Sequence, residues 1–145
     1  MPKSYGIQFQ SKRFDQTSIL PDNFNAGNKF YGSDLAKFIT DKLGLLDYAI
    51  VDEDWGWLIT GTSNGMRIDY GISDWHDIDN AFGGKPKVAQ KTDANWYIVI
   101  TAYYQSRILG FIPSSKQVDC PEVIGNAVVK LLRDNGDVII ESGIE

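Results

Sequence analysis

Apolar and polar positions alternate at the start of the chain, with Tyr5, Ile7 and Phe9 against Gly6, Gln8 and Gln10, which predicts a half-buried strand. Residues 15–32 lose this period and collect Asp, Asn, Gly, Ser and Pro21, the composition of an ordered loop held down by Phe24, Phe30 and Tyr31. The period then becomes helical. Leu35, Phe38, Ile39 and Leu43 recur on one stripe, Ser33 is placed to cap its start, Asp34 suits the positive end, and Gly44 supplies the stop.

The central segment is the clearest. Residues 57–63 and 66–72 flank Asn64-Gly65, the pair preferred in a two-residue hairpin turn because both positions tolerate positive φ. That turn sets Ser63 opposite Met66, hence Gly61 by Ile68, Ile59 by Tyr70 and Trp57 by Ile72 on an apolar face. The other face pairs Thr62 with Arg67, Thr60 with Asp69 and Leu58 with Gly71 and is mostly polar. Residues 73–94 show no sustained period and read as a mobile loop or covering flap.

From Trp96 to Tyr104 both faces are bulky, which predicts a central strand covered on both sides, and Arg107–Ile112 reads as its hairpin partner after the link Gln105-Ser106. Asp119 is expected to cap a second helix with Pro121 in the first turn and Glu122 in capping-box position. Val123, Ile124, Ala127, Val128, Leu131 and Leu132 give that helix a broad buried stripe ended by Asn135-Gly136, and Val138–Ile140 adds a final strand at an edge or closing the sheet. The expected class is α+β: a mainly antiparallel sheet of about five to seven strands with two helices packed on one face, in a single domain over 1–145.

Composition agrees with a folded chain, since 43% hydrophobic residues among 145 suffice for one core. The longest nearly unbroken apolar stretch, residues 97–104, is far short of a membrane span, so no membrane partner is expected. A net charge of −5 argues against nucleic acid as the main partner, because phosphate binding needs a basic surface. Cys120 is the only cysteine, and the polar opening residues lack a signal-peptide core, which together point to the reducing cytoplasm.

Charge is unevenly spread. Residues 47–80 carry a net −7, while 1–46 carry +2, 81–118 carry +4 and 119–145 carry −4. The acids of the central segment gather in two runs. Asp52-Glu53-Asp54-Trp55-Gly56-Trp57 leads into the hairpin, with Trp55 and Trp57 two apart and sharing a strand face if the strand begins early. Asp74-Trp75-His76-Asp77-Ile78-Asp79 holds the single histidine. Carboxylates beside large aromatics suit an interface for a cationic protein; a solvated strand entry with Trp57 in the core is the plainer alternative.

Enzyme signatures are weak. His76 with Asp74, Asp77 or Asp79 has the parts of a small hydrolase or a metal-dependent site, or is an ordinary loop residue. An EF-hand beginning at Asp77 fails because Ala81 and Phe82 stand where an oxygen ligand and glycine are required. Zinc lacks ligands, and Gly83-Gly84-Lys85 lacks the spacing of a phosphate loop. Cys120, next to a helix start, is either an activated thiol or a buried one. Tyr97, Tyr103, Tyr104 and Trp96 have the surfaces to stack sugars or bases, or to fill core and sheet.

In the run Gly27-Asn28-Lys29-Phe30-Tyr31-Gly32-Ser33-Asp34-Leu35, followed by Glu53-Asp54-Trp55-Gly56-Trp57, the chain resembles a diffuse group of small uncharacterised bacterial proteins. In size, acidity and lack of a catalytic constellation it is also similar to bacterial immunity proteins, including those of contact-dependent inhibition systems, which neutralise a cognate toxin domain. That resemblance implies a non-enzymatic binding protein with no cofactor, whose partner is a cognate basic toxin, with a nuclease as one candidate. Asp52, Glu53, Asp54, Asp74, Asp77 and Asp79 would then pair with the toxin's basic groups, with Trp55 and Trp75 as anchors.

Overall fold

A computed structural model describes residues 1–63, 65–74, 95–108 and 112–145, and shows an antiparallel sheet with two helices laid on one face. In chain order the elements are β1 (Tyr5–Gln10), a 3-10 turn (Phe24–Gly27), α1 (Ser33–Leu43), β2 (Ala49–Glu53) and β3 (Gly56–Ser63). There follow β4 (Met66–Ser73), β5 (Asn95–Ile108), β6 (Ile112–Val118), α2 (Glu122–Asp134) and β7 (Val138–Ile144). The sheet runs β2-β3-β4-β5-β1-β7, with β6 also paired to β5.

The register of β3 on β4 is the one the hairpin turn dictates, from Ser63 opposite Met66 to Trp57 opposite Ile72. Its polar face forms a ladder. Thr60 Oγ1 donates to Asp69 Oδ1 at 2.7 Å, Arg67 Nε lies 3.4 Å from the same oxygen, and the Arg67 guanidinium sits 4.1 Å above the ring of Tyr103, its cross-strand partner on β5. Asn64 of the turn lies outside the described residues, as does the run 75–94.

β5 is central and long enough to serve two partners along one edge. Residues 95–100 pair with β1 and 102–108 with β6, so β6 and β1 lie end to end. Cys120 N–H donates to Lys3 O at 2.8 Å across the joint, and Lys3 N–H donates to Asp119 Oδ1 at 2.8 Å. Asp119 is therefore spent on fastening β1, and the expected capping of α2 by its side chain does not occur. Gly32 rather than Ser33 precedes α1, at φ 128°, and no side chain caps that helix either. Gly44 ends α1 in the left-handed conformation expected of it.

Three strand boundaries differ from the sequence reading. The break between β5 and β6 falls after Ile108 instead of at Gln105-Ser106, because the chain stays extended past Tyr104 to pair with β6. β7 continues to Ile144 along β1. β2 was not expected at all; it places Asp52 and Glu53 inside a strand and Asp54-Trp55 in the turn to β3, so Trp55 and Trp57 do not share a strand.

The core lies between the helices and the face bearing Tyr5, Ile7, Phe9, Ile59, Ile68, Tyr70, Ile72, Trp96, Ile98 and Ile100, all buried. α1 contributes Leu35, Ala36 and Ile39, and α2 contributes Val128, Val129 and Leu132. Burying side chains of this size stabilises by about 1.5–3 kcal/mol each, which holds both amphipathic helices down. α2 approaches β1 closely because Gly125 has no side chain: a Cβ there would lie 2.2 Å from the Tyr5 ring. The Tyr5 hydroxyl donates to Asn126 Oδ1 at 2.8 Å beside this contact. Among the described residues no helix is long and apolar enough to cross a membrane.

Candidate functional site: the acidic β2–β3 turn

A five-residue strand and a two-residue turn present the first acidic run at one end of the sheet. Register pairs Asp52 with Trp57 and Glu53 with Gly56, leaving Asp54 and Trp55 at the tip. Asp52 and Asp54 are exposed, whereas Glu53 and Trp55 are half-buried.

The tip is fixed from below by the loop before α1. Asn25 is fully buried and directs its backbone N–H and its side-chain amide nitrogen at the tip. Its backbone N–H and its side-chain Nδ2 donate to Asp52 Oδ1 at 2.7 and 3.0 Å. The same Nδ2 donates to Glu53 O at 2.8 Å and Gly56 O at 2.7 Å, while Asn25 Oδ1 accepts the Phe30 N–H at 2.7 Å. Asn28 Nδ2 adds a bond to Asp54 O at 2.8 Å. Trp57 completes the attachment, its Nε1 donating to Phe30 O at 3.0 Å and its ring meeting Phe24 edge-on at 5.2 Å.

Such a hub needs an unusual backbone. Asn25 has φ 54° and ψ 45°, and Ala26 follows at φ 53°, with Lys29 at φ 54°. Asn tolerates this left-handed region better than other residues with a side chain, because its short amide bonds locally. Loop composition showed a pinned segment, yet which residue would do the pinning was not legible. The signal available was the run Asn23-Phe-Asn25-Ala-Gly-Asn28, rich in residues that accept positive φ.

Around this tip the surface charge is negative. Asp22 is paired with Lys29 at 2.8 Å, and that partner holds the Asp22 carboxyl below its usual value. Asp52, Glu53 and Asp54 add three carboxylates on a backbone held by the Asn25 and Asn28 amides. The arrangement is chemically suited to receive cationic groups: charges on a preorganised backbone, followed at the tip by the half-buried indole of Trp55.

The second acidic run contributes differently. Asp74 is 3% exposed, so its carboxylate is withdrawn from the surface on which it was expected to meet a partner. It lies near Tyr31, whose hydroxyl donates to Ser18 O at 2.5 Å and whose ionisation is pushed up by burial first and then by Asp15 and Asp74. Trp75, Asp77 and Asp79, expected as partner-binding residues, lie outside the described residues, as do His76 of the enzyme alternative and Gly83-Gly84-Lys85.

Cys120 is buried, and burial pushes its thiol up, the opposite of activation; its Sγ lies 3.6 Å from Pro121 O. Among the described residues no group of three or more His, Cys, Asp or Glu is placed to hold a metal ion. Comparison with protein-family models, curated proteins and solved structures gives no match to this chain.

Proposed function

We propose that this protein is a non-enzymatic binding protein that captures a cationic protein, in the manner of an immunity protein neutralising a cognate basic toxin, and that the β2–β3 turn is its contact surface. The observation carrying this reading is the Asn25 hub. A fully buried Asn in a left-handed conformation, bonded to Asp52, Glu53 and Gly56, holds the acidic turn in one conformation. Binding then orders little backbone, and the carboxylates of Glu53 and Asp54 steer Lys and Arg side chains while Trp55 supplies apolar contact. Asp52 has a double role, since one oxygen is held by Asn25.

Capture from native cells tests the reading, with the wild-type protein and the double variant Glu53→Lys, Asp54→Lys as parallel baits. A basic protein retained in stoichiometric amount by the wild type alone, whose toxicity on expression is relieved by co-expressing this chain, is the expected result. Equal retention of that protein by both baits contradicts it.

A further inference from the structure

We infer that the outer edge of β2 is a strand-addition site for an extended segment of the cationic partner, with apolar side chains toward one end and Lys or Arg toward the other; this rests on the proposed role of the acidic turn. Three strands, β2, β6 and β7, each pair on one side only among the described residues. Unpaired edges invite association, and proteins ordinarily blunt them with Lys, Pro or a bulge. β6 carries Pro113 and Lys116. β7 is irregular, its register on β1 shifting between Gln8 and Phe9. β2 lacks Lys, Pro and a bulge, since Ala49 to Glu53 pair with Thr60 to Gly56 without a break; its charges are Asp52 and Glu53, which guard the edge against acidic strands and leave it open to basic ones.

What flanks this edge defines its occupant. The chain enters β2 through Leu46 and Tyr48, which are 76% and 44% exposed. The segment is seated on β3 where Gly61 leaves room, a Cβ there falling 3.3 Å from Tyr48 Cβ. At the other end stand Asp52, Glu53 and Asp54. A second copy of β2 pairing antiparallel about Val51 would set Asp52 against Ile50 and Glu53 against Ala49, so that neither carboxylate meets an opposite charge. A basic strand meets the carboxylates with opposite charge while its main chain pairs with the edge, and its apolar end covers Leu46 and Tyr48.

The test uses the intact protein and three synthetic octapeptides, monitored by backbone amide NMR. One carries Val in one half and Lys in the other. The second has the same sequence with alternate backbone nitrogens methylated, which keeps the charge and removes the strand's donors. The third has Glu in place of each Lys. The inference predicts that the first peptide shifts the amides of Ala49, Ile50 and Val51 together with those of the turn, with at least tenfold weaker effect from the methylated peptide and none from the acidic one. Equal effects of the first two, shifts confined to the turn, or shifts centred on β6 or β7 would overturn strand addition. So would a dimer of the free protein, formed through β2, in sedimentation equilibrium. The capture experiment changes only side-chain charge at Glu53 and Asp54 and keeps the β2 main chain, so loss of strand pairing and loss of charge-dependent capture are read separately.

Discussion

Asn25 Nδ2 lies 3.0 Å from Asp52 Oδ1, joining a buried loop residue to an exposed carboxylate across 27 positions of sequence. This bond makes the conformation of the acidic turn depend on the loop before α1. Replacing Asn25 with Ala removes the donor to Asp52, Glu53 O and Gly56 O and the acceptor for Phe30 N–H, and keeps a Cβ at positive φ. Unmet buried polar groups cost about 1–3 kcal/mol each before relaxation, so Asn25→Ala is expected to destabilise by at least about 2 kcal/mol. Asn25→Gly suits the backbone and still loses the amide, and should fall between the wild type and Ala. Urea unfolding of the three proteins checks the order.

Gly125 illustrates a different dependence. Ala ordinarily favours a helix over Gly by about 1 kcal/mol. Here the added methyl would lie 2.2 Å from the Tyr5 ring, itself 3% exposed and pinned to Asn126. Gly125→Ala is expected to destabilise by about 1–3 kcal/mol, the range for overpacking. A thermal midpoint at or above wild type would show that α2 lifts from β1 freely.

Alkaline pH addresses the core. Burial, with a contribution from Cys120, pushes the Tyr70 hydroxyl from 10.0 up to about 12. The unfolded chain therefore loses that proton first as pH rises, and stability present below about pH 10 declines toward pH 12, by on the order of 2 kcal/mol. Tyr70→Phe should flatten this part of the stability profile.

Acid acts through the loop. Asp15 accepts bonds from the Ser18 hydroxyl and from the Thr17 and Ser18 N–H groups, which lower its carboxyl from 3.8 to about 2. The native state thus holds Asp15 ionised where the unfolded chain would protonate it. Its contribution is present above about pH 4 and lost as pH falls toward 2. Asp15→Ala should show a shallower acid limb between those values.

Legibility followed the range of the forces involved. The β3–β4 register was readable because Asn64-Gly65 fixes it locally and Ile59, Ile68, Tyr70 and Ile72 then agree in phase. Gly44 and Gly136 were readable as helix stops for the same reason. β2 was hidden because five residues at an edge, two of them acidic, have little periodicity of their own and are held by pairing with β3. Ser33 and Asp119 had the residue types of caps, but distant partners decide: Asp119 is taken by Lys3 N–H, a contact 116 positions away. At the site, the acidic run was visible as charge, whereas the burial of Asp74 and the role of Asn25 depend on how 21–32 packs beneath β2 and β3.

Electrostatic capture by the β2–β3 turn is read out in association kinetics. Stopped-flow measurement with the captured partner, over a series of salt concentrations, would compare the wild type with Glu53→Lys, Asp54→Lys. Both positions are at least partly exposed, so circular dichroism of the variant should match the wild type. If the carboxylates of the turn steer the partner, the variant associates about tenfold more slowly or worse at low salt and with a flatter dependence on ionic strength. An unchanged association rate with an unchanged salt slope would contradict it.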